Sequence, residues 1–147
     1  MIRPANPAET NAVRDVVRAA YQTYVARIGR EPGPMQDDYA VRIAAGEVWV
    51  LEDSGAIAAV AVLEQRPDSF FLDNIAVRPD CQGKGFGRAL MDFAEAAALR
   101  CGWQEIRLYT HVLMTENQAL YRHLGYRETG RVSEKGFDRV YMAKALG

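Results

Sequence analysis

Hydrophobic and polar positions along the chain follow two periods, one typical of helices and one typical of strands. Apolar residues at helical spacing predict a first helix over residues 7–27 and a third over residues 88–100. A second helix is predicted over residues 35–45, ending near Gly46, and a short fourth helix over residues 116–123. These four segments account for most of the amphipathic helical pattern in the chain.

Shorter apolar or alternating runs predict the strands, and glycine and proline mark the turns between them. The predicted strands cover residues 2–3, 47–52, 56–64, 70–77, 104–110, 126–131 and 137–142. The resulting order is β-α-α-β-β-β-α-β-α-β-β, which predicts a mixed sheet with helices on its faces. The sequence therefore indicates an α/β fold of the α+β kind.

Length and composition predict one globular domain over residues 1–147. The net charge of -1 gives no electrostatic reason to expect nucleic acid or an anionic membrane as a partner. Cys81 and Cys101 lack metal-ligand spacing, and two free cysteines fit a reducing compartment. The longest apolar run, 56–63, is too short to span a bilayer, and residues 1–10 contain no apolar signal segment. We therefore expect a cytoplasmic protein.

A glycine-rich loop lies where a strand ends and a helix begins. Gly83, Gly85 and Gly87 fall between the strand over 70–77 and the helix over 88–100. Glycine allows the backbone to turn tightly and a ligand to come close. The first N–H groups of a helix lack intrahelical partners, and the helix dipole favours negative charge there. The loop is therefore a candidate phosphate-binding site, or alternatively a glycine turn that caps the helix without a ligand.

The spacing within this loop excludes two familiar phosphate-binding motifs. A dinucleotide-binding loop has glycine where Arg88 stands, and a P-loop has Ser or Thr where Gly85 stands. The run Gln82-x-x-Gly85-x-Gly87 instead resembles the acetyl-CoA signature of the GNAT acetyltransferase superfamily, Q/R-x-x-G-x-G/A.

The segment over residues 117–126 resembles the second signature of the same superfamily, N-x-x-A-x-x-x-Y/F followed by L-G-F/Y. Asn117 begins it, Ala119 is small enough for close approach, and Gly125 ends the helix. Here the aromatic residue, Tyr121, comes one turn after Asn117 on the same helical face. The alternative interpretation makes Tyr121 a half-buried core aromatic residue.

The resemblance covers nearly the whole chain and implies the GNAT fold, with a mostly antiparallel sheet of six to seven strands and about four helices. It implies acetyl-CoA as cosubstrate and no metal. Tyr121 would protonate the departing CoA sulfur, Asn117 would hold the pantetheine arm or order a water molecule, and the Ile75–Val77 backbone would polarise the thioester carbonyl. The implied coenzyme-binding residues are Ile75, Ala76, Val77, Gln82, Gly83, Lys84, Gly85, Phe86, Gly87, Arg88, Asn117 and Tyr121.

Three side chains are candidates for the general base. Asp73 is the first, because it precedes the end of the coenzyme-binding strand and shares strand parity with Phe71 and Ile75, so that burial would raise its pKa. Glu64 and His111 are the second and third. Each also has a structural interpretation, as an ion-paired or hydrogen-bonded group. No Ser/His/Asp set suggests an acyl-enzyme, so direct attack on acetyl-CoA is expected.

The irregular segment after the first helix is expected to form the acceptor wall. Its candidate residues are Tyr21, Tyr24, Arg27, Arg30, the turn over 31–35, and Tyr39. The segment carries both signs of charge and so does not select an acceptor by charge. We expect an N-acetyltransferase acting on a small primary amine. The alternatives are a peptide or protein N-terminus, a longer acyl-CoA, and a CoA-binding sensor without catalysis; exposed sheet edges also allow a homodimer.

Overall fold

The computed structural model describes every residue from Met1 to Gly147. The strands are β1 (Ile2–Pro4), β2 (Val48–Asp53), β3 (Ala56–Gln65), β4 (Phe70–Val77), β5 (Glu105–His111), β6 (Arg127–Glu134) and β7 (Phe137–Ala145). The helices are α1 (Thr10–Ile28), α2 (Tyr39–Ala44), α3 (Phe86–Arg100) and α4 (Thr115–His123), with 3-10 turns over Pro7–Glu9, Gly33–Gln36 and Pro79–Cys81. None of the helices combines the length and apolar character that crossing a membrane requires.

The strands form a single sheet of seven in the order β1-β2-β3-β4-β5-β7-β6. Only the central β4–β5 pair is parallel, and every other neighbouring pair is antiparallel. The predicted mixed, mostly antiparallel sheet with four helices is therefore confirmed.

Two apolar cores lie on the two faces of this sheet. Helices α1 and α2 cover one face, where Val13 and Val17 are fully buried against β2 and β3. Helix α3 covers the other face, where Leu90 and Ala94 are fully buried, and Tyr121 of α4 joins this second core. The sheet thus has helices on both faces, and most residues of β3 and β4 are buried.

The second helix is shorter than predicted. The expected helix over residues 35–45 is replaced by the 3-10 turn Gly33–Gln36 and by α2, which begins only at Tyr39. The Asp38 side chain accepts a hydrogen bond from the Val41 N–H at 3.2 Å and so fixes the start of α2 as an N-cap. Strands β6 and β7 each extend three residues beyond their predicted ends, at 131 and 142.

A β-bulge interrupts β4 at Asp73. Val62 of β3 pairs with Asn74, while the next residue, Leu63, pairs with Leu72. Asp73 is therefore an extra residue without a partner on β3. Bulges bend a strand and change which face the following side chains occupy.

The bulge overturns the parity predicted for Asp73. Leu72 belongs to the core beneath α3, and Ile75 packs against that same core although it lies three residues further on. Residues that share a face of a regular strand are separated by an even number of positions. Phe71 and Ile75 consequently face opposite sides of the sheet, and the expectation that Asp73 shares a face with both was wrong.

The central parallel strands separate just after they meet. Pairing between β4 and β5 joins only Phe70–Leu72 with Ile106–Leu108. The Arg78 N–H donates to the Ala58 carbonyl on β3, and successive backbone groups alternate in direction along a strand. The N–H and C=O groups of Val77 therefore point away from β3, into the gap between β4 and β5.

Replacement of Leu90 by alanine tests the core beneath α3. Leu90 is fully buried, so we expect Leu90→Ala to lower the free energy of unfolding by about 2–5 kcal/mol. Leu99→Ala on the same helix removes an equal side chain that is 47% exposed and should change stability by less than about 0.5 kcal/mol. Urea unfolding of both variants measures the difference; equal losses would contradict the assigned burial.

Candidate active site

The glycine loop connects the end of β4 to the start of α3. Gly83 and Gly85 both have φ of 82°, a left-handed conformation that other residues adopt at a cost. Gly85 is the N-cap of α3, and its carbonyl accepts the first helical hydrogen bond, from the Ala89 N–H. The N–H groups of Phe86 and Gly87 have no intrahelical acceptor and are available to an anion.

A groove of about 320 Å³ runs from this loop to α4. It is lined by Ala20, Tyr21, Tyr24, Ile75, Ala76, Val77, Cys81, Gln82, Gly83, Gly85, Phe86, Gly87, Asn117, Leu120 and Tyr121. Most residues predicted to bind the coenzyme thus border one space. The exceptions are Lys84 and Arg88, which do not line the groove; Arg88 is exposed and pairs with Asp92 at 3.3 Å. The two cationic side chains of the loop thus lie outside the lining of the groove, which includes the loop glycines.

Tyr121 places its phenol at the inner end of this groove. Its side chain is buried against Tyr126, with 6.0 Å between ring centroids, and its hydroxyl makes no hydrogen bond to another protein group. Burial raises the pKa of Tyr121 to about 12. The phenol therefore keeps its proton near neutral pH and is free to donate it.

A narrow inner cavity of about 40 Å³ occupies the gap where β4 and β5 separate. Tyr21, Ile75 and Tyr121 border both this cavity and the glycine-loop groove, so the two spaces meet there. The remaining wall residues are Pro32, Gly33, Pro34, Leu72, Asp73, Asn74, Leu108, Tyr109, Thr110, His111, Met114, Phe137 and Arg139.

A buried hydrogen-bond network holds the wall of the inner cavity. The Tyr21 hydroxyl lies 2.8 Å from Asn74 Oδ1 and 3.1 Å from the Ile75 carbonyl. Asn74 Nδ2 donates to the Tyr39 hydroxyl at 3.0 Å, and Tyr39 donates to the Pro34 carbonyl. Helices α1 and α2 and the Gly33–Gln36 turn are thereby fixed against the part of β4 that does not pair with β5.

Asp73, on the bulge, borders the inner cavity. Its side chain is nine-tenths buried and lies 3.2 Å from Arg42 Nη2. Burial raises the pKa of Asp73 even though Arg42 opposes the shift. Arg42 also pairs with three further carboxylates, of Asp37, Glu47 and Glu64. Asp73 is consequently a better proton acceptor than an exposed carboxylate.

The other two candidate bases are less suited to accept a proton. Burial tends to raise the pKa of Glu64, but hydrogen bonds from Arg42 and Arg66 outweigh burial and lower this pKa below its usual value. His111 Nδ1 accepts the Leu113 N–H at 3.0 Å, which leaves the proton of the neutral ring on Nε2. Burial also lowers the pKa of His111. The ring is therefore a neutral hydrogen-bond donor in this arrangement.

A second opening, the distal mouth, reaches the inner cavity from the side away from the glycine loop. It has a volume of about 550 Å³ and shares Gly33, Asp73, Tyr109, Phe137 and Arg139 with the inner cavity. None of these five residues borders the glycine-loop groove. Groove, inner cavity and distal mouth thus lie in a row, each sharing wall residues with the next, and we call these three adjoining spaces the passage.

The predicted acceptor wall is only partly in contact with this passage. Arg30 and the turn around Gly33 border it, and Tyr24 borders the groove. Arg27 lines neither the groove nor the inner cavity nor the distal mouth, and its guanidinium pairs with Glu116 at 2.6 Å. Tyr39 is fully buried and acts through the hydrogen-bond network.

The sequence analysis missed the contribution of the last strand. Phe137 and Arg139 border the inner cavity and the distal mouth. They alternate with Val140 and Met142, which lie in the core beneath α3. The signal was a charged residue on the same face of this strand as two aromatic residues, Phe137 and Tyr141.

No group of three or more His, Cys, Asp and Glu side chains lies close enough together to hold a metal ion.

Comparison with known proteins agrees with this geometry. The family model described as "Acetyltransferase (GNAT) domain" matches residues 44–128, more than half of the chain. The matched stretch includes the glycine loop, β5 and α4. The chain also superimposes on the PaiA N-acetyltransferase from Thermoplasma acidophilum, solved in complex with coenzyme A, with a TM-score of 0.84 and 18% identity over 99% of this chain and 98% of that one.

Two curated relatives match about half of the chain. N-alpha-acetyltransferase 80 from Mus musculus is 38% identical over 66 residues, which are 45% of this chain and 19% of the relative. The [ribosomal protein bS18]-alanine N-acetyltransferase from Escherichia coli K12 is 37% identical over 82 residues, which are 53% of each chain. The alignments thus span about half, or less, of the relatives' own lengths.

The structural superposition shows the fold, and the family match includes both sequence signatures, at residues 82–87 and at Asn117 with Tyr121. Together with the groove that these signatures border, they lead to one conclusion: the chain belongs to the GNAT acetyltransferase family.

Proposed function

We propose that the protein is an acetyl-CoA-dependent N-acetyltransferase that moves an acetyl group directly to the primary amine of a small molecule. The observation that carries the proposal is that the glycine-loop groove adjoins the inner cavity beside Tyr121 and Ile75, while the distal mouth adjoins the same cavity from another side. Acetyl-CoA would enter from the glycine-loop groove and the amine from the distal mouth. The coenzyme A in the structure of the Thermoplasma neighbour supports acetyl-CoA as the cosubstrate.

The groove suits a coenzyme that carries a diphosphate and an extended arm. The free N–H groups at the start of α3 would bind the diphosphate, since the helix dipole favours an anion there. The arm would lie along the end of β4, where the Val77 N–H points into the gap between the strands. Asn117, half-buried on α4, borders the same groove and would contact the arm.

The reaction needs a single displacement. The lone pair of the neutral amine attacks the thioester carbonyl carbon, so an N–C bond forms and the C–S bond breaks. Backbone N–H groups of β4 would stabilise the negative charge that develops on the carbonyl oxygen. The departing thiolate takes the proton of Tyr121, and the proton lost by the amine passes to Asp73 directly or through water.

Contacts around the distal mouth favour a small acceptor over a peptide tail. The Arg30 guanidinium lies 4.2 Å from the centroid of the Phe137 ring. A Cβ added to Gly136 would lie 2.5 Å from Arg30 Nη1. The loop after α1 and the β6–β7 hairpin therefore touch each other across the mouth, which narrows the entrance that an extended chain would need.

Turnover assays with acetyl-CoA and a panel of amines test the proposed function. We expect release of the free CoA thiol that depends on the amine and matches the N-acetylated product measured by mass spectrometry. Binding of acetyl-CoA without thiol release for any amine would instead favour a sensor. Faster turnover with longer acyl-CoA thioesters, or with peptide N-termini only, would favour the corresponding alternatives.

Replacement of Asp73 by asparagine tests the general base. At neutral pH we expect Asp73→Asn to lower kcat/KM by about 10- to 100-fold, because an amide accepts no proton. Since burial raises the pKa of Asp73, the acidic limb of the wild-type profile should lie above the usual aspartate range. The variant should regain activity above the pKa of the acceptor amine, where the amine is already neutral.

Glu47→Gln is the control for this change. Glu47 pairs with the same arginine, Arg42, at 2.9 Å but does not border the passage. Its replacement should leave the pH profile of kcat/KM unaltered. If Asp73→Asn and Glu47→Gln had the same effect at every pH, Asp73 would be a structural partner of Arg42 and not the base.

A further inference from the structure

Arg139 is a buried guanidinium that borders both the inner cavity and the distal mouth. Only 10% of its side chain is exposed, yet it makes no hydrogen bond of normal geometry within the chain. The nearby carboxylate is that of Glu134, with 3.6 Å between Nη1 and Oε1. Glu134 also accepts a hydrogen bond from the Tyr141 hydroxyl. One long ion pair leaves most of the N–H donors of this guanidinium without a protein acceptor, so the position of Arg139 requires a reason.

Aromatic rings hold this guanidinium in place. The Cζ atom of Arg139 lies 4.3 Å from the centroid of the Tyr109 ring and 5.6 Å from that of Phe137. Stacking of this kind stabilises a cation but leaves the N–H edge of the guanidinium free for an acceptor. Space for a larger residue at Gly33 is limited, because a Cβ there would lie 3.2 Å from Arg139 Nη2.

A second arginine stands beside the first. Arg30 stacks on Phe137 and borders the distal mouth, and it forms neither an ion pair nor a hydrogen bond within the chain. Arginines on the opposite side of the mouth behave differently, since Arg42 and Arg66 are both paired with Glu64. Arg30 is thus unpaired and Arg139 has only the 3.6 Å contact with Glu134, whereas Arg42 and Arg66 near β4 are held in close ion pairs.

Charges of opposite sign border the same spaces. Asp73 and Arg139 both line the inner cavity and the distal mouth, as does the Tyr109 ring on which Arg139 stacks. Burial raises the pKa of Tyr109; the Asp73 carboxylate adds to this shift and the Arg139 guanidinium opposes it. A ligand that carries an amine and an anion on a short spacer would match this arrangement. Its ammonium would face Asp73, and its anion would face Arg139 and Arg30.

We infer that the acceptor is a small aminocarboxylate, such as an amino acid, and that Arg139 with Arg30 binds its carboxylate. The inference rests on the proposed N-acetyltransferase function and specifies its substrate class. A carboxylate receives two parallel N–H donors from one guanidinium, which fixes the orientation of the ligand as well as its charge. Arg139 is therefore assigned as the residue that determines acceptor specificity.

Matched sets of acceptors test the inference. Each set contains an amino acid, its amide and the decarboxylated amine: alanine, alaninamide and ethylamine; phenylalanine, phenylalaninamide and phenethylamine; 4-aminobutyrate, its amide and propylamine. We expect the carboxylate member of at least one set to have a kcat/KM about 100-fold or more above its neutral partners. A site built for a polar group rejects analogues that leave its buried charge unpaired.

Substitution of Arg139 separates charge recognition from folding. Arg139→Gln should lower kcat/KM for the carboxylate by about 100-fold while changing that for the amide by less than about 3-fold. Arg139→Lys keeps the positive charge but lacks the paired N–H donors of a guanidinium. Its kcat/KM for the carboxylate should lie between those of the wild type and Arg139→Gln. Arg30→Gln should also lower kcat/KM for the carboxylate, and because Arg30 is exposed this change does not perturb the core. Arg127→Gln, on β6 and paired with Glu105 at 3.3 Å, is the control and should retain the wild-type preference.

Affinity for acetyl-CoA, measured by calorimetry, distinguishes the possible failures. Equal or faster turnover of the amides and amines would overturn the aminocarboxylate acceptor and leave the acetyltransferase function intact. An unchanged carboxylate preference in Arg139→Gln and Arg30→Gln, each with normal acetyl-CoA affinity, would also overturn it. Absence of turnover with every set, despite acetyl-CoA binding, counts against this acceptor class. Absence of acetyl-CoA binding would instead refute the proposed function itself.

Discussion

Replacement of Tyr121 by phenylalanine should lower kcat by about 10²- to 10⁴-fold, the range typical for loss of a general acid. The ring would remain, so packing against Tyr126 would be preserved, and only the hydroxyl at the end of the groove would be lost. The dissociation constant for acetyl-CoA should change by less than about 3-fold. The Tyr121 hydroxyl makes no hydrogen bond to another protein group, so its loss leaves the shape of the groove unchanged. Pre-steady-state measurement of thiol release, with calorimetry of acetyl-CoA binding, gives both quantities.

Tyr126→Phe is the matched control for the loss of a buried phenol. The Tyr126 hydroxyl donates to Glu95 at 3.0 Å and does not border the passage. Its removal should lower the free energy of unfolding by about 1 kcal/mol and leave kcat unchanged. Equal kcat for Tyr121→Phe and the wild-type enzyme would show that the thiolate leaves without help from Tyr121.

Local sequence signals predicted the coenzyme side of the site because the residues there are contiguous. The left-handed φ values of Gly83 and Gly85 are a property that glycine itself makes possible, so the loop is visible in the sequence. Helix α4 begins within one residue of its predicted start, at Thr115, since its apolar positions recur with helical spacing.

The acceptor side could not be predicted in the same way, because it depends on register. The bulge at Asp73 shifts the pairing of β3 and β4 by one residue, and no residue type in that stretch demands a bulge. A shift by one position exchanges the faces of a strand. It also coincides with the point after Leu72 where β4 and β5 stop pairing, so the error in side-chain direction falls on the site itself.

Arg139 illustrates the second limit, which is topology. It enters the passage because β7 lies next to β5, where Arg139 pairs with His111. The residues around Arg139 in the sequence do not reveal this adjacency. They predict that β6 and β7 form a hairpin, but not which of the two strands lies next to β5. The aromatic rings that stack on it, Tyr109 and Phe137, come from two different strands.

Replacement of Gly85 by valine should weaken acetyl-CoA binding by about 100-fold or more. A β-branched residue at the φ of 82° is strained by about 1–3 kcal/mol, and the loop would relax toward another conformation. The N–H groups at the start of α3 would then lose their common direction. Each hydrogen bond to a charged phosphate contributes about 1.5–3 kcal/mol, and every 1.4 kcal/mol is about tenfold in affinity.

Gly55→Val separates this effect from backbone strain in general. Gly55 lies in the turn between β2 and β3 with φ of 81°, and a Cβ there would meet no atom within 4 Å, as at Gly85. The two substitutions therefore impose the same local strain, one at the groove and one remote from it. Both variants should unfold at similarly lowered temperatures, but only Gly85→Val should lose acetyl-CoA binding in calorimetry. Retained affinity in Gly85→Val would show that the coenzyme's phosphates are held elsewhere than at the start of α3.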